Sequence, residues 1–231
     1  MKEYPLVSCI MPTYNRPRYL LRAIYIFFNQ DYPNKELIII DDSDRLKLPE
    51  IPKLHNVKYI ELSKKESIGT KRNIAVNHAK GDIFIFWDDD DIYSPQRITK
   101  QVKPIIENGI DISVFSNAIY YDTCNDQYYK TTKRVHKQIW YKGYLCGTLA
   151  SKKQYWQKAK FRPVSLAEDR FYIEDAVKNG AQLQTVYNDY DYVYTKHGSN
   201  TFKFSVPQIH INSAKIPNIY KTGFYNIDAY A

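Results

Sequence analysis

Four short apolar runs punctuate the first half of the chain: Leu6–Met11, Glu36–Ile40, Val57–Leu62 and Ile83–Trp87. They are rich in Ile, Val and Phe and nearly continuous rather than alternating, the pattern of strands covered on both faces. Helical spacing lies between them. Pro17 stands where a first helical turn tolerates proline, and Leu20, Leu21, Ile24, Phe27 and Phe28 recur behind it as a core-facing stripe. A second helix is predicted from Ile68 to Ala79, and a third after Ser94-Pro95 with Ser94 as its cap. Farther on, Asp111–Phe115 has the pattern of a fifth strand and Tyr120–Thr131 that of a hairpin or loop. Glu168–Asn179 has the pattern of a helix and Leu183–Tyr187 that of a late strand. Strands alternating with helices predict an α/β fold with a mostly parallel central sheet and helices on both faces. From Phe202 onward the periodicity is lost, and the chain carries no internal repeat, low-complexity tract or Gly/Ser linker.

Polar residues that follow buried strands are the first candidates for a site, because ligands of open α/β sheets sit beyond the carboxyl ends of the strands. Three clusters qualify: Pro12-Thr13-Tyr14-Asn15-Arg16, Asp41-Asp42-Ser43-Asp44 and Asp88-Asp89-Asp90-Asp91. The topology brings all three to one rim. An acidic run by itself is commonly a solvated loop or helix cap. This one follows a buried strand, so its carboxylates are held close and repel unless a cation or an arginine compensates them. Hard oxygen ligands favour Mg2+ or Mn2+, and a divalent ion that also binds a diphosphate accounts for the cluster. Ser67-Ile68-Gly69-Thr70-Lys71-Arg72-Asn73 supplies complementary cations, although basic residues on a wet helix face would look the same; it lacks the spacing of a P-loop.

Composition narrows the classes. At 231 residues the chain is long enough for one well-buried core. No apolar run reaches the roughly 20 residues of a membrane span, and the first residues lack the features of a signal peptide, so a soluble cytoplasmic protein is expected. Three cysteines without CxxC spacing argue against a disulfide framework or a zinc site and fit reduced, structural thiols. The 22 tyrosines suit half-buried surface. The net charge of +8 is spread along the chain rather than clustered, which ranks nucleic-acid binding last.

Together PTYNR, the aspartate pair, IGTKRN and GDIFIFWDDDDIYSP resemble, in order and spacing, the family-2 glycosyltransferases of the GT-A fold, over roughly residues 5 to 200. The resemblance implies a single domain over 1–231, with a nucleotide-sugar-binding half (1–117), an acceptor-side half (118–200) and a tail (201–231). It implies that Pro12, Tyr14, Asp41 and Arg72, with Thr13, Arg16 and Lys71 beside them, form the donor site, usually for uracil. It also implies that Asp89 lies near the ribose and that Asp90 ligates the metal, with Asp88 completing the DxD pattern and Asp91 a structural acceptor. Glu168-Asp169 resembles the family's acceptor-side acidic pair: Asp169 is the expected base, Glu168 its alternative or orienter, although acids also suit any first helical turn. His197 resembles a late histidine that contacts metal or diphosphate, although a lone histidine is as often a surface residue. Two departures bear on donor preference: no glycine follows Asp41-Asp42, and Thr70-Lys71 stands where small residues are common.

The reaction so implied is inverting transfer of a hexose from a UDP-sugar (UDP-glucose, UDP-galactose or UDP-N-acetylglucosamine) to a hydroxyl acceptor on a glycan or protein, with Mn2+ or Mg2+. Residues Tyr190 to Phe204 are the candidate for a loop that closes over the donor. The alternatives are an inactive nucleotide-sugar-binding protein and a nucleotidyltransferase, the latter expected to carry a Gly-rich phosphate loop where this chain has PTYNR.

Overall fold

The computed structural model describes residues 4–44, 51–131, 141–198, 200, 208–211, 215 and 217. In chain order the described strands and helices are β1 (Val7–Thr13), α1 (Pro17–Phe28), β2 (Lys35–Asp41), β3 (Val57–Glu61), α2 (Ile68–His78), β4 (Ile83–Phe86), β5 (Ile92–Tyr93), α3 (Arg97–Glu107) and β6 (Ile112–Phe115). There follow β7 (Ile119–Asp122), β8 (Gln127–Thr131), β9 (Leu145–Lys152), α4 (Lys153–Lys158), α5 (Glu168–Lys178), β10 (Leu183–Val186), β11 (Tyr192–Lys196) and β12 (Gln208–His210).

A seven-stranded sheet in the order β3-β2-β1-β4-β9-β6-β10 forms the centre. Its neighbouring strands are parallel except around β9, which runs antiparallel to both β4 and β6. The near-continuous apolar strands have a direct cause. Cys9, Leu37, Ile39, Ile83 and Ile85 point to one face, where they pack against Leu20, Ala23, Ile24 and Phe27 of α1 and Ile98 and Val102 of α3. Ile10, Ile38, Ile40, Phe84 and Phe86 point to the other, against Ala75 and Val76 of α2, Tyr155 and Trp156 of α4, and Tyr172 and Ile173 of α5. A smaller sheet in the order β5-β11-β7-β8-β12 lies beside it. β7 and β8 are the hairpin that the Tyr-rich stretch allows, with Tyr121 and Tyr128 paired across it.

Several local expectations are corrected. Leu21 and Phe28 of the α1 stripe are 41% and 44% exposed. Ser94 does not cap α3; its hydroxyl donates to Asp191 Oδ1, and Gln96 takes the cap position without a side-chain bond. Among the described tyrosines, Tyr32, Tyr93, Tyr120, Tyr155, Tyr172 and Tyr192 are buried rather than at the half-buried surface expected of most. All three cysteines are free, but Cys124 is exposed and only Cys9 and Cys146 are buried. Most of the tail from 201 onward lies outside the described residues; β12 pairs antiparallel with β8. No described helix is long and apolar enough to cross a membrane.

Candidate active site

β1 lies between β2 and β4, so the three polar clusters leave the sheet side by side. Their side chains interlock. Thr13 donates to Asp89 Oδ2 at 2.6 Å, and Arg16 Nη1 reaches Asp89 Oδ1 at 3.2 Å and Asp90 Oδ2 at 2.6 Å. Lys71 Nζ donates to the Thr13 carbonyl at 3.0 Å and to Asp42 Oδ1 at 2.7 Å, a buried pair that ties α2 to the ends of β1 and β2.

Opposite the aspartate run, the N-terminus of α5 presents the acidic pair. Arg72 joins the two sides: its Nη2 meets Asp88 Oδ1 at 3.1 Å and its Nε meets Glu168 Oε1 at 3.1 Å, with the guanidinium 3.4 Å over the Phe86 ring. Arg72 Nη1 is buried and has no hydrogen-bond partner among the described residues. The residue before the pair, Ala167, holds φ at 61°, a left-handed conformation uncommon outside glycine, and no side chain caps α5. Asp169 Oδ1 accepts from the Arg170 amide at 2.6 Å, and its other oxygen faces Gly147 of β9.

Between these sides opens a cavity of about 620 Å3. Of the residues singled out from the sequence, Pro12, Thr13, Tyr14, Arg16, Lys71, Arg72, Asp88, Asp89, Asp90, Glu168 and Asp169 all line it. Asp41 does not. It accepts from the Tyr59 hydroxyl and the Ser43 amide and borders a separate small recess. Its neighbour Asp42 takes the cavity-side partners Lys71 and the Glu66 amide instead, since successive residues leaving a strand point to opposite faces. His197 is buried against the run, with Nε2 3.1 Å from Asp90 Oδ2 and its ring stacked on Tyr19. Asp91 also borders the cavity, and its carboxylate accepts from the Tyr192 hydroxyl at 2.6 Å and the Thr195 amide at 3.0 Å. Those bonds show why Tyr190–Phe204 is not one loop: Tyr192–Lys196 is strand β11, paired with β5 and β7. Residues 199 and 201–204 lie outside the described residues.

Sequence reasoning missed two buried arginines beneath the run. Arg22 Nη2 donates to the Asp90 carbonyl at 2.6 Å, and Arg97 Nη1 to the Phe86 carbonyl at 2.7 Å, so the two bracket the turn that carries the carboxylates. Arg22 had a signal, a charge inside the apolar stretch LLRAIYIFF. Lys65, Glu66, Leu145, Gly147, Tyr194 and Asn200 also reach the cavity.

The electrostatics separate the carboxylates. Burial and the neighbouring Asp90 charge push Asp89 up to about 7, and burial likewise raises Asp88 and Asp91. Burial works against ionised Asp90 too, but the contact with His197 and the charge of Arg16 outweigh it and hold Asp90 below its ordinary value. Burial, opposed by Arg72, pushes Glu168 up to about 7 and raises Asp169.

A family model, glycosyl transferase family 2, matches residues 8–163, more than half of the chain. The chain belongs to that family. Among its relatives, an uncharacterized glycosyltransferase of Haemophilus influenzae is 36% identical over 111 residues, 46% of this chain and 44% of that protein. One of Methanocaldococcus jannaschii is 36% identical over 126 residues, 52% of this chain and 43% of that protein. These matches span less than half the length of either relative. Two solved structures show the fold. Staphylococcus aureus TarS 1–349 in complex with UDP-GlcNAc has a TM-score of 0.69 at 21% identity, covering 84% of this chain and 59% of that one. The mannosyltransferase PcManGT from Pyrobaculum calidifontis in complex with GDP-Man and Mn2+ has a TM-score of 0.64 at 16% identity, covering 84% and 57%. The mixed sheet with helices on both faces is therefore that of the GT-A-type glycosyltransferases.

Proposed function

We propose that this family-2 chain is an inverting glycosyltransferase that moves a hexose from a UDP-sugar to a hydroxyl acceptor on a glycan or protein. One observation carries the reading: a single cavity has the aspartate run on one wall and Glu168-Asp169 on the other, with Arg72 spanning them. A transferase needs this division, because one wall must take the charge of a leaving diphosphate while the other takes a proton. The nucleotide sugars named with TarS and PcManGT support a nucleotide-sugar donor; uridine is the base to test first.

The donor set fits Mn2+ or Mg2+. Among the described residues no three His, Cys, Asp or Glu side chains converge as a ready cage. Mg2+ of this kind is commonly held by one or two carboxylates together with substrate phosphates, and Asp90 and Asp88 supply hard oxygens on the same wall, with His197 against Asp90. When bound, the ion would neutralise charge on the departing diphosphate. The rest falls to the chain. Asp169, half-buried beside Gly147, accepts the proton as the acceptor oxygen attacks the anomeric carbon from the face opposite the leaving group. The bond to the phosphate oxygen breaks with its electron pair leaving on the diphosphate. Arg72 holds Glu168 out of competition for the acceptor, and its unpartnered Nη1 is a donor in reserve for an anionic oxygen of the ligand. Pro12, Tyr14 and Lys65, whose ammonium lies 3.8 Å over the Tyr14 ring, make an edge suited to a nucleobase.

Calorimetric titration with UDP, UDP-glucose, UDP-galactose and UDP-N-acetylglucosamine, with and without Mn2+, tests the reading. Binding that requires metal and disappears in Asp90→Ala is the expected result and ranks the sugars. Absence of uridine-nucleotide binding in every condition would refute the uridine donor and send the search to GDP- and dTDP-sugars.

A further inference from the structure

Among the described residues four arginines surround the aspartate run, and they are not alike. Arg22, Arg72 and Arg97 are 1%, 4% and 0% exposed. Arg22 and Arg97 donate to backbone carbonyls, which makes them braces for the turn. Arg16 has a side chain 22% exposed, lines the cavity and goes to carboxylates: one of its nitrogens, Nη1, meets both Asp89 and Asp90. Its backbone is anchored from behind, since Asn15 donates through its amide to Ser43 Oγ at 2.6 Å and through Nδ2 to Asp44 Oδ1 at 2.6 Å.

The oxygen that Arg16 holds is Asp90 Oδ2, which also has His197 Nε2 at 3.1 Å and Asn200 Nδ2 at 3.5 Å. A hard divalent cation on such an oxygen competes with the guanidinium for its lone pairs and is repelled by it at contact distance. We infer that Arg16 is an exchangeable counter-ion: its guanidinium holds Asp89 and Asp90 together in the donor-free site, yields Asp90 Oδ2 to the divalent ion, and then serves the anionic donor. The inference rests on the reading of Asp90 as a metal ligand. It explains how the carboxylates at the end of β4 stay ordered before any ion arrives, and it ties metal entry to donor entry. A guanidinium displaced from carboxylates beside a bound cation is repelled there, and the diphosphate is the anion within reach.

The test is titration of the full chain with Mn2+, followed by the paramagnetic resonance of the free ion, for wild type, Arg16→Gln and Asp90→Asn. Without nucleotide, Arg16→Gln is expected to bind Mn2+ roughly tenfold more tightly than wild type, about 1.4 kcal/mol, because a competing cation is gone. In saturating Mn2+, the same variant is expected to bind UDP more weakly. A merely structural arginine would weaken both. Unchanged or weaker Mn2+ binding by Arg16→Gln, with Asp90→Asn still lowering it, overturns the inference and leaves the metal site standing. No Mn2+ binding by wild type even with UDP overturns the metal reading and this inference with it. If Arg16→Gln does not fold by circular dichroism, Arg16→Lys replaces it, and a rise in Mn2+ affinity of roughly threefold is expected from an ammonium that is hydrated more strongly and bonds less directionally. No rise in that variant overturns the inference.

Discussion

Arg72 acts on both walls of the cavity. It faces Asp88 and Glu168 at the same 3.1 Å, and its charge opposes the burial that pushes Glu168 up to about 7 and raises Asp169. A carboxyl whose folded value lies above its ordinary 4.5 keeps a proton that the unfolded chain releases. Its effect on stability is therefore a loss, which begins as pH rises past 4.5 and is complete above about 7. Arg72→Gln removes the opposing charge, so with Asp169 as the proposed base the acid limb of kcat/KM is expected to move to higher pH. The window of lost stability moves with it. At neutral pH the variant is expected to lose about 3 kcal/mol, the usual scale for removing one partner of a buried ion pair, measurable by urea melts between pH 5 and 9. An unmoved acid limb would mean that Arg72 does not act on Asp169. At this scale the sequence was most legible where a charged residue sat at the end of an apolar strand, as with Arg16 and Asp88 to Asp91. It was least legible where a charge was buried inside a helix face: Arg22 and Arg97 carry the turn from below through bonds to backbone carbonyls, and only the apolar setting of Arg22 hinted at this in the sequence.

The start of α2 and the approach to α5 are one unit, and Gly69 is the seam. Its amide donates to the Val164 carbonyl at 2.9 Å, and a Cβ placed on it would stand 1.9 Å from the Arg162 carbonyl oxygen, a backbone atom that cannot swing aside. Ser67 caps α2 by accepting from the Thr70 amide, and Asn73 reaches across to the Phe161 backbone with both ends of its amide. The segment from Phe161 to Ala167 is thus laid against α2 before it delivers Glu168 and Asp169. Gly69→Ala is expected to cost about 1 to 3 kcal/mol by overpacking and to lower kcat through misplacement of Asp169, with smaller change in donor affinity; thermal melts and initial rates check both. Among elements, β1 to β4 and α1 were legible from their apolar pattern, whereas α2 carries almost no apolar stripe and was legible from its place between two strands. β9 was not, because in LCGTLASK small and polar residues dilute the apolar signal of a strand that is almost wholly buried. β11 is hidden in the sequence because its reason for being a strand, pairing with β5 and β7, lies far away along the chain.

At the scale of the molecule, β9 determines whether the donor half is a thing that can exist alone. A division at residue 117 leaves β1 to β6 on one side and β9, β10, α4 and α5 on the other, yet the sheet runs β4-β9-β6 through its middle. Cut there, the fragment 1–117 would keep β4, Ile83–Phe86, buried at every position, as a bare edge, and β6 would have no neighbour on either side. The face of the sheet below it would open as well. Phe84 packs on Phe161 and Tyr172 with ring centroids 6.1 and 5.9 Å apart, and Phe86 on Phe161 at 5.5 Å, and both partners come from beyond the cut. Losing the cover of Phe84 and Phe86 together with the strand partner of β4 is a large cost, since each buried aromatic side chain of this size contributes about 1.5 to 3 kcal/mol. The fragment is therefore expected to aggregate or to melt without a cooperative transition, whereas the whole chain is expected to show a single calorimetric transition in which the donor and acceptor walls are lost together. If instead 1–117 gave a sharp melt and bound a uridine nucleotide, the central place of β9 would be dispensable and the two walls of the cavity would belong to separable units.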